Sequence, residues 1–305
     1  MDTTKIPFVS AVISTRDRGA LVAKTVRSLL VNEYPDFEVI IVDQSRDNAT
    51  EVALQPFLSN PRLRYFRTQT KGVSNGRNLG IKHAKGEFVA ITDDDAELPA
   101  AWLRELINAF QIDPKIGIVF GNVLAAPHDV NAGFIPDYTL NQPFLARNLR
   151  ENRRLGGLSV CMGIRKSVWQ HLKGFDPMLG AGGLLKSGAE TDFTVRTLLT
   201  GYFVYETPQV VLIHHGFRSW KEGRQLIHRY WYGTGAMFMK HIRCGHWSVI
   251  PLFFQMAWRW AFARPVIGVG RHSHKWLRLV SFLQGLIKGG IVPLNKTISQ
   301  YSFHE

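Results

Sequence analysis

Three consecutive carboxylates, Asp93, Asp94 and Asp95, follow the apolar run at residues 88–92. That run is short and partly β-branched, and Gly86 precedes it, which predicts a buried strand. Adjacent like charges raise the free energy unless a positive group lies among them. Mg²⁺ or Mn²⁺ carrying a diphosphate is one such group, because these ions take carboxylate and phosphate oxygens together. The alternative is an acidic turn before the next helix, whose positive N-terminal end attracts Asp and Glu.

Strand patterns and helix patterns alternate through the first half of the chain. The strands are predicted at residues 8–14, 37–42, 63–66 and 88–92. The helices are predicted at residues 19–31, 50–58, 73–85 and 100–111. Such alternation predicts an α/β sandwich with a mostly parallel sheet, in which ligands bind at the carboxyl ends of the strands. The polar segments 15–18, 43–45 and 93–95 lie at three of those ends.

Length and composition limit the classes of protein that fit. A chain of 305 residues with 45% hydrophobic residues can bury a substantial core. Cys161 and Cys244 are the only cysteines, which excludes a disulfide framework and a clustered thiol metal site. No apolar stretch precedes the first strand, so no signal peptide is expected and a cytoplasmic location is the default.

Charge and tryptophan are concentrated toward the C-terminus. Residues 212–305 contain 13 Lys and Arg against two Glu, which is +11 of the formal net charge of +13. Six of the eight Trp also lie there. We therefore expect a near-neutral body at residues 1–215 and a basic, aromatic, helical region at residues 216–305.

Five segments, in chain order, resemble glycosyltransferase family 2. Residues 12–18 resemble its opening strand and loop, and residues 37–43 its second strand, which ends in an Asp that contacts the nucleotide base. Residues 76–80 resemble its A-R-N-x-G segment, with Gly76 in place of Ala. Asp93 and Asp95 resemble its D-x-D motif, and residues 187–193 its G-E-D-x-D-L acceptor-site motif. The resemblance covers about residues 8–215. It implies a GT-A type, Rossmann-like α/β/α sandwich that transfers a sugar from a nucleotide-sugar donor to an acceptor hydroxyl with inversion.

The resemblance also implies the donor-binding residues. Contacts with the nucleotide sugar are expected from Thr15, Arg16, Asp43, Arg77, Asp93 and Asp94. A carboxylate such as Asp43 accepts a hydrogen bond from a base N–H, and the planar guanidinium of Arg77 suits a phosphate. The alternative for Arg77 is a solvated helix arginine.

A divalent cation, Mn²⁺ or Mg²⁺, is expected at Asp93, Asp95 and His214. It would act as a Lewis acid on the departing diphosphate. His214 and His215 follow the apolar strand at residues 210–213, and the family pattern places the ligand at His214. The alternative is a histidine pair that only stabilises a turn.

The catalytic base departs from the family pattern. The E-D pair of the family is replaced here by Ala189 and Glu190. Glu190 keeps a carboxylate and is the expected base, with Asp192 as the second candidate. Asp192 is predicted to open a helix at residues 192–200, where an Asp has a capping role that needs no chemistry.

The C-terminal region predicts contact with a membrane surface. Residues 249–263 are strongly apolar, but 15 residues fall short of the ~20 that span a bilayer. Farther on, one helix face carries Leu279, Phe282, Leu283, Leu286 and Ile287, and the other carries Arg278, Ser281, Gln284 and Lys288. Apolar and basic helices of this kind lie in the interface of anionic membranes. The alternative is that these helices pack on the catalytic body.

The helix and charge patterns predict a peripheral protein on the cytoplasmic face of the membrane, and the resemblance implies an enzyme that acts on a glycan or lipid-linked acceptor in polysaccharide biosynthesis of the cell envelope. Nucleic acid is not an expected partner, because no binding motif accompanies the charge. Two alternatives stay open. One is a sugar-phosphate nucleotidyltransferase, although its Gly-rich signature near the N-terminus is missing. The other is a catalytically inactive polyanion- or membrane-binding module on the same scaffold.

Overall fold

The computed structural model describes residues 6–151, 156–262 and 275–302, and of residues 257–262 it describes the backbone. Ala263, the end of the predicted apolar stretch, lies outside the described residues. The strands are β1 (Val9–Thr15), β2 (Phe37–Asp43), β3 (Leu63–Arg67), β4 (Phe88–Thr92), β5 (Ala96–Glu97), β6 (Ile116–Ala125), β7 (Gly133–Phe134), β8 (Phe144–Ala146), β9 (Met162–Arg165), β10 (Phe203–His214), β11 (Arg218–Ser219), β12 (Leu294–Asn295) and β13 (Gln300–Tyr301). The helices are α1 (Gly19–Leu30), α2 (Ala49–Leu54), α3 (Val73–His83), α4 (Trp102–Gln111), α5 (Lys166–His171), α6 (Ala189–Leu199), α7 (Trp220–Arg243), α8 (Ile250–Phe262) and α9 (Lys275–Ile291).

A nine-stranded sheet organises the fold. Its order is β3-β2-β1-β4-β9-β6-β10-β5, and β8 pairs with β10. The strands β3, β2, β1 and β4 are parallel, as the alternation of strand and helix predicts. Antiparallel pairing of β9, β8 and β5 makes the other half of the sheet mixed. The register pairs Thr15 with Asp43, so the polar ends of β1 and β2 meet at one edge.

The central strands are buried on both faces because their sequences are continuous runs of β-branched and apolar residues. Side chains alternate between two hydrophobic clusters. Val12 and Ile40 belong to one cluster, and Ile13 and Ile41 to the other. The helices cover both faces, which gives the three-layer α/β/α sandwich that the sequence predicts.

Helix α3 lies directly on the sheet, and its glycines are the reason. A Cβ on Gly80 would lie 2.5 Å from Val12 Cγ1, and a Cβ on Gly76 would lie 2.0 Å from Ser14 Oγ. Asn78, between them, holds the chain after α5, because its amide donates to Phe175 O and its oxygen accepts from Trp169 Nε1. The glycines of the G-R-N-L-G segment therefore set how closely α3 approaches the sheet.

Helix α6 begins at Ala189, three residues before the predicted start. The preceding Gly188 has φ +90°, a conformation that residues with a Cβ rarely adopt. Glu190 and Asp192 both lie in the first turn of this helix, where carboxylates favour the positive end of the helix dipole.

The C-terminal helices share a core with the body. Ser219 and Glu222 form a capping box that starts α7. Helices α7 and α9 touch at the backbone, because a Cβ on Gly285 would lie 2.0 Å from Tyr232 O. Phe282 of α9 belongs to the same hydrophobic cluster as Val12 of β1. The boundary expected at residues 215 and 216 thus marks a change in composition within one continuous core.

The two faces of α9 differ from the prediction. Arg278, Ser281 and Phe282 are buried on the face toward α7, so the division into an apolar and a basic face was wrong. The close approach at Gly285 decides the orientation, since it forces that face inward. The outer face carries an exposed apolar stripe that consists of Trp276, Val280, Leu283, Ile287 and Ile291. Among the described helices, none combines the length and the apolar character that crossing a bilayer requires.

Candidate active site

A cleft of about 440 Å³ opens beyond the carboxyl ends of β1, β4 and β10. The other walls come from α3, the turn at residues 180–182, α6 and α7. The structure brings most of the predicted site residues to this cleft: Thr15, Arg16, Arg77, Asp93, Asp94, Asp95, Glu190 and His214. It does not bring Asp43 or Asp192 there.

Arg18 lies between two of the three aspartates. Its Nη1 is 2.6 Å from Asp94 Oδ1, and its Nη2 is 2.5 Å from Asp95 Oδ2. Thr15 Oγ1 donates to the other oxygen of Asp94 at 2.6 Å. Burial raises the pKa of Asp94 to about 6 even though the Arg18 guanidinium opposes this rise. Both oxygens of Asp94 are thus engaged by protein groups, whereas Asp95 keeps Oδ1 for another partner.

Asp95 and His214 form a pair that fits a cation. His214 Nδ1 lies 2.9 Å from the carbonyl oxygen of Pro136, to which it can only donate. In the neutral imidazole Nε2 therefore presents a lone pair, and it lies 3.2 Å from Asp95 Oδ1. Asp95 Oδ1 is buried and accepts no hydrogen bond of good geometry. Two acceptors facing each other require a proton or a metal ion between them.

The surroundings of this pair agree with that conclusion. Burial lowers the pKa of His214, but Asp95 outweighs burial and holds that pKa above its ordinary value. A Cβ on Gly216 would lie 2.4 Å from His214 Nε2, so glycine keeps space open beside the pair. Among the described residues no three His, Cys, Asp or Glu side chains form a metal-binding group. The structure brings Asp95 and His214 together, and the cation predicted at these two residues and Asp93 stays a prediction.

Asp93 faces the cleft and is held by Arg77. Arg77 Nη2 donates to Asp93 Oδ1 at 3.0 Å and lies 3.0 Å from Ser159 Oγ. Arg77 is 3% exposed, whereas the Asp93 side chain is 37% exposed. This placement excludes the solvated helix arginine that was the alternative for Arg77.

Glu190 lines the same cleft from the first turn of α6. Within the described residues its carboxylate forms no ion pair and accepts no hydrogen bond, so its oxygens are available to a ligand. Tyr230 of α7 also lines the cleft. Burial raises the pKa of Tyr230, and the charges of Glu190 and Asp93 raise it further. Tyr230 is therefore a neutral hydrogen-bond donor near the candidate base.

Asp192 lies elsewhere, although it is only two residues from Glu190. It is fully buried, with Oδ1 2.5 Å from Lys240 Nζ and Oδ2 2.9 Å from Arg196 Nε. His241 Nε2 is 3.1 Å from Oδ1. Burial opposes ionisation, but Lys240 and Arg196 outweigh it and hold the pKa of Asp192 below its usual range. The placement of Asp192 as an alternative base is therefore corrected, because this carboxylate cannot reach a ligand in the cleft.

The prediction that Asp43 contacts the nucleotide is likewise corrected, because Asp43 is buried outside the cleft. It has no exposed surface, and its oxygens accept from Ser45 N at 2.8 Å and from Tyr65 Oη at 2.6 Å. These bonds fix the loop after β2 beneath the cleft. The side chain that lines the cleft from this loop is that of Gln44.

Sequence reasoning missed several residues that line the cleft. These are Arg18, Gln44, Lys186, Arg218, Arg229 and Tyr230. Three of them, Arg218, Arg229 and Tyr230, lie in the region interpreted as a membrane-facing tail, and the last two belong to α7. The capping box at Ser219 could have revealed Arg229 and Tyr230, because it sets the start of α7 and places both on one helix face with Leu226.

The sequence pattern of Glycosyl transferase family 2 matches residues 10–172, more than half of the chain. One similar protein is the GalNAc(5)-diNAcBac-PP-undecaprenol beta-1,3-glucosyltransferase of Campylobacter jejuni, 30% identical over 122 residues. That match covers 39% of each protein. The O-antigen biosynthesis protein RfbC of Myxococcus xanthus is 28% identical over 227 residues, which cover 68% of this chain and 17% of that protein. The chain thus spans well under half the length of both relatives.

Solved structures resemble the fold. The mannosyltransferase PcManGT of Pyrobaculum calidifontis, in complex with GDP-Man and Mn²⁺, aligns with a TM-score of 0.63 at 19% identity and covers 96% of this chain and 78% of that one. TarS 1–349 of S. aureus, in complex with UDP-GlcNAc, aligns with a TM-score of 0.57 at 17% identity and covers 73% and 66%. These likenesses confirm the predicted GT-A type fold.

Proposed function

The chain belongs to glycosyl transferase family 2, and from this premise we propose that it transfers a sugar from a nucleotide-sugar donor to an acceptor hydroxyl. The observation that carries the proposal is the meeting, in one cleft, of an unengaged carboxylate, Glu190, with the Asp95–His214 pair. Glu190 could take the proton of an acceptor hydroxyl. The Asp95–His214 pair could hold the cation that neutralises a diphosphate leaving group.

In the proposed reaction Glu190 takes the proton of the acceptor hydroxyl. The oxygen forms a bond to the anomeric carbon while the bond from that carbon to the donor phosphate oxygen breaks. The electron pair of the broken bond leaves on the nucleoside diphosphate. A single displacement of this kind inverts the configuration of the anomeric carbon. Tyr230 would position the hydroxyl or the donor sugar by donating its own hydrogen bond.

Donor binding would use the basic side chains of the cleft. Arg77 is held rigidly by Asp93 and Ser159, so it presents a fixed guanidinium to a phosphate or ribose. Arg16 lines the cleft with a side chain that is 37% exposed, so its guanidinium is accessible to the nucleotide, while its Nε lies 3.8 Å from Asp17 Oδ2. Thr15 and Asp94 fix the floor of this binding site through their mutual hydrogen bond.

A divalent cation, Mg²⁺ or Mn²⁺, would be held by Asp95 Oδ1 and His214 Nε2. When bound it would neutralise the diphosphate and act as a Lewis acid on the leaving oxygen. Asp93, which Arg77 holds by a hydrogen bond, would contact the donor. Arg18 pairs with Asp94 and Asp95. Since the donor diphosphate would lie beside Asp95, Arg18 would be close enough to contact its phosphates as well.

We also propose that the protein works at the cytoplasmic face of the membrane on a lipid-linked or membrane-bound glycan acceptor of the cell envelope. The apolar stripe of α9 supports this, because Ile287 is 69% exposed and Trp276 is 79% exposed without a partner from the described chain that covers them. Monomeric proteins rarely expose a contiguous apolar face of this kind. The net charge of +13 favours an anionic lipid surface.

The experiment measures nucleoside diphosphate release from UDP-, GDP- and dTDP-sugars. Removing a general base costs about 10²–10⁴-fold, so Glu190→Gln should lose that much in kcat while nucleotide binding persists. A sugar-phosphate nucleotidyltransferase would instead release pyrophosphate from a nucleoside triphosphate, and an inactive binding module would release nothing. Unchanged turnover in Glu190→Gln would refute the assignment of the base.

A further inference from the structure

A second cavity, of about 1050 Å³, lies beside the catalytic cleft. Its walls are the glycine turn at residues 181–183 on one side and α7 on the other, and Leu277 of α9 also lines it. We call it the basic cavity, because its charged and titratable side chains are Lys186, Arg224, His228 and Arg229. It shares Lys186 and Arg229 with the catalytic cleft, so the two spaces adjoin.

The charge of the basic cavity is not balanced. Among the described residues that line it there is no carboxylate. In the described part of the chain, neither Arg224 nor Arg229 has an ion-pair partner. Lys186 Nζ lies 3.0 Å from His228 Nε2, whose ring is held by Ser281 at Nδ1. Burial lowers the pKa of His228, and the charges of Lys186 and Arg229 lower it further, as expected in a site of positive potential.

This imbalance points to an anionic ligand. Guanidinium groups pair with phosphate oxygens through two parallel hydrogen bonds, and a lysine adds a point charge. The three cations of the wall carry more positive charge than one carboxylate of a ligand would neutralise. The volume also exceeds that of one phosphate, so the cavity has room for a diphosphate and part of the group attached to it.

The position of the basic cavity identifies the molecule that carries the anion. On one side it opens to the cleft that contains Glu190, where the acceptor hydroxyl must lie. On the other side Leu277 connects it to α9, whose apolar stripe begins at Trp276. A ligand that crosses the cavity therefore has its hydroxyl end in the cleft and its other end against an apolar surface.

We propose that the basic cavity binds the phosphate or diphosphate group of a lipid-linked acceptor sugar. The sugar lies in the catalytic cleft, the phosphate groups contact Arg224, Arg229 and Lys186, and the lipid chain leaves along the apolar stripe. The inference rests on the proposed glycosyl transfer, because it assigns the acceptor side of that same site. It adds a subsite separate from the donor diphosphate, which belongs beside Asp95 on the opposite wall.

Arg224 allows a clean test, since it lines the basic cavity and does not line the catalytic cleft. Binding of inorganic pyrophosphate is measured by calorimetry in EDTA, so that no cation attracts it to the aspartates of the donor site. Arg224→Gln should weaken binding about tenfold or more, the effect of one lost charge-assisted contact. Lys221→Gln is the matched control, because Lys221 is an exposed cation on the same helix outside the cavity. Equal binding by wild type, Lys221→Gln and Arg224→Gln would overturn the proposal.

A second arm identifies the source of the phosphate. Flotation compares phosphatidylcholine vesicles that contain geranylgeranyl diphosphate with vesicles that contain phosphatidylglycerol at the same surface charge. Arg224→Gln should reduce binding to the diphosphate vesicles and leave the phosphatidylglycerol vesicles unaffected. Equal loss on both vesicles, or pyrophosphate binding without diphosphate-vesicle binding, would overturn the lipid assignment. Nucleoside diphosphate release from the donor stays a separate readout, and its absence in wild type would refute the glycosyl transfer itself.

Discussion

Lys240 should be among the most costly side chains of this protein to remove. Its ammonium is fully buried, 2.5 Å from Asp192 Oδ1 and 2.8 Å from Asp176 Oδ2. Lys240→Met keeps the length of the side chain and removes the charge. Within the described chain, Asp192 would then keep Arg196, whereas Asp176 would keep hydrogen bonds from the backbone N–H groups of Met178 and Tyr301 and no cation.

The expected loss follows from that uncompensated charge. Breaking a buried ion pair by removing one partner costs about 3–5 kcal/mol, because the remaining charge stays buried. A typical domain is stable by about 5–15 kcal/mol, so the variant should be folded but markedly weaker. Urea unfolding, followed by circular dichroism, should report this loss as a lower midpoint. Lys221→Met, which changes an exposed lysine of the same helix, should stay within about 0.5 kcal/mol of wild type.

A double-mutant cycle with Asp192→Asn sharpens the test. If the two side chains interact as the distance indicates, the double variant should lose less stability than the sum of the single variants. Asp192→Asn should reduce stability while a folded sample retains turnover. A loss below about 1 kcal/mol for Lys240→Met, or a folded and fully stable Asp192→Asn variant without turnover, would refute this assignment and return Asp192 to the reaction.

Three further predictions concern pH, metal and membrane. Burial lowers the pKa of His241 to about 4; Asp192 opposes this shift, and Lys240 and His246 reinforce it. As the pH decreases, the unfolded state therefore takes up a proton on His241 before the folded state does. The free energy of unfolding should fall between about pH 6.5 and pH 4. His241→Gln should remove up to about 1.4 kcal/mol per pH unit of that slope in urea titrations, and identical slopes would contradict it. Mn²⁺ should raise the stabilisation by a nucleoside diphosphate in thermal-shift assays, and Asp95→Ala or EDTA should abolish the increment; an increment that survives Asp95→Ala would exclude this ligand. Ile287→Ser should weaken co-sedimentation with anionic vesicles up to about tenfold, because one apolar side chain is no longer buried in the membrane. Val31→Ser, at an equally exposed position on the body, should leave binding unchanged. Equal binding by both variants would exclude the apolar stripe as the membrane contact.

The parallel half of the sheet was predictable because its signals are local. The strands β1, β2 and β4 are apolar runs that end in polar residues, and their predicted ends lie within one residue of those observed. The carboxyl ends of parallel strands meet at one edge, so the three polar segments had to lie close together. Helix α6 was less predictable. Its start depends on Gly188 in a left-handed conformation, which the sequence alone does not reveal.

The errors concern partners that are distant in the chain. Asp192 was a candidate base because it lies two residues from Glu190. In the fold Lys240 pairs with both Asp192 and Asp176, and Lys240 lies 64 residues from Asp176. Arg18 was not among the predicted site residues, because nothing local shows that it pairs with Asp94, 76 residues away. Residue type predicts that a buried carboxylate needs a cation, but only the fold determines which cation supplies the charge.

The basic C-terminal region lines the candidate cleft through α7, so removing the region does not test membrane binding by itself. Helix α7 brings Tyr230 to the catalytic cleft and Lys240 to the buried network, and its Gly233 packs against Ser187 just before Glu190. Helix α9 holds α7 in place through the backbone contact at Gly285. A chain that lacks residues 247–305 would lose Phe282 from the core, so its failure to bind vesicles would report misfolding as readily as a missing membrane surface. Only substitutions on the outer face of α9 separate the two, because that face does not pack against the body.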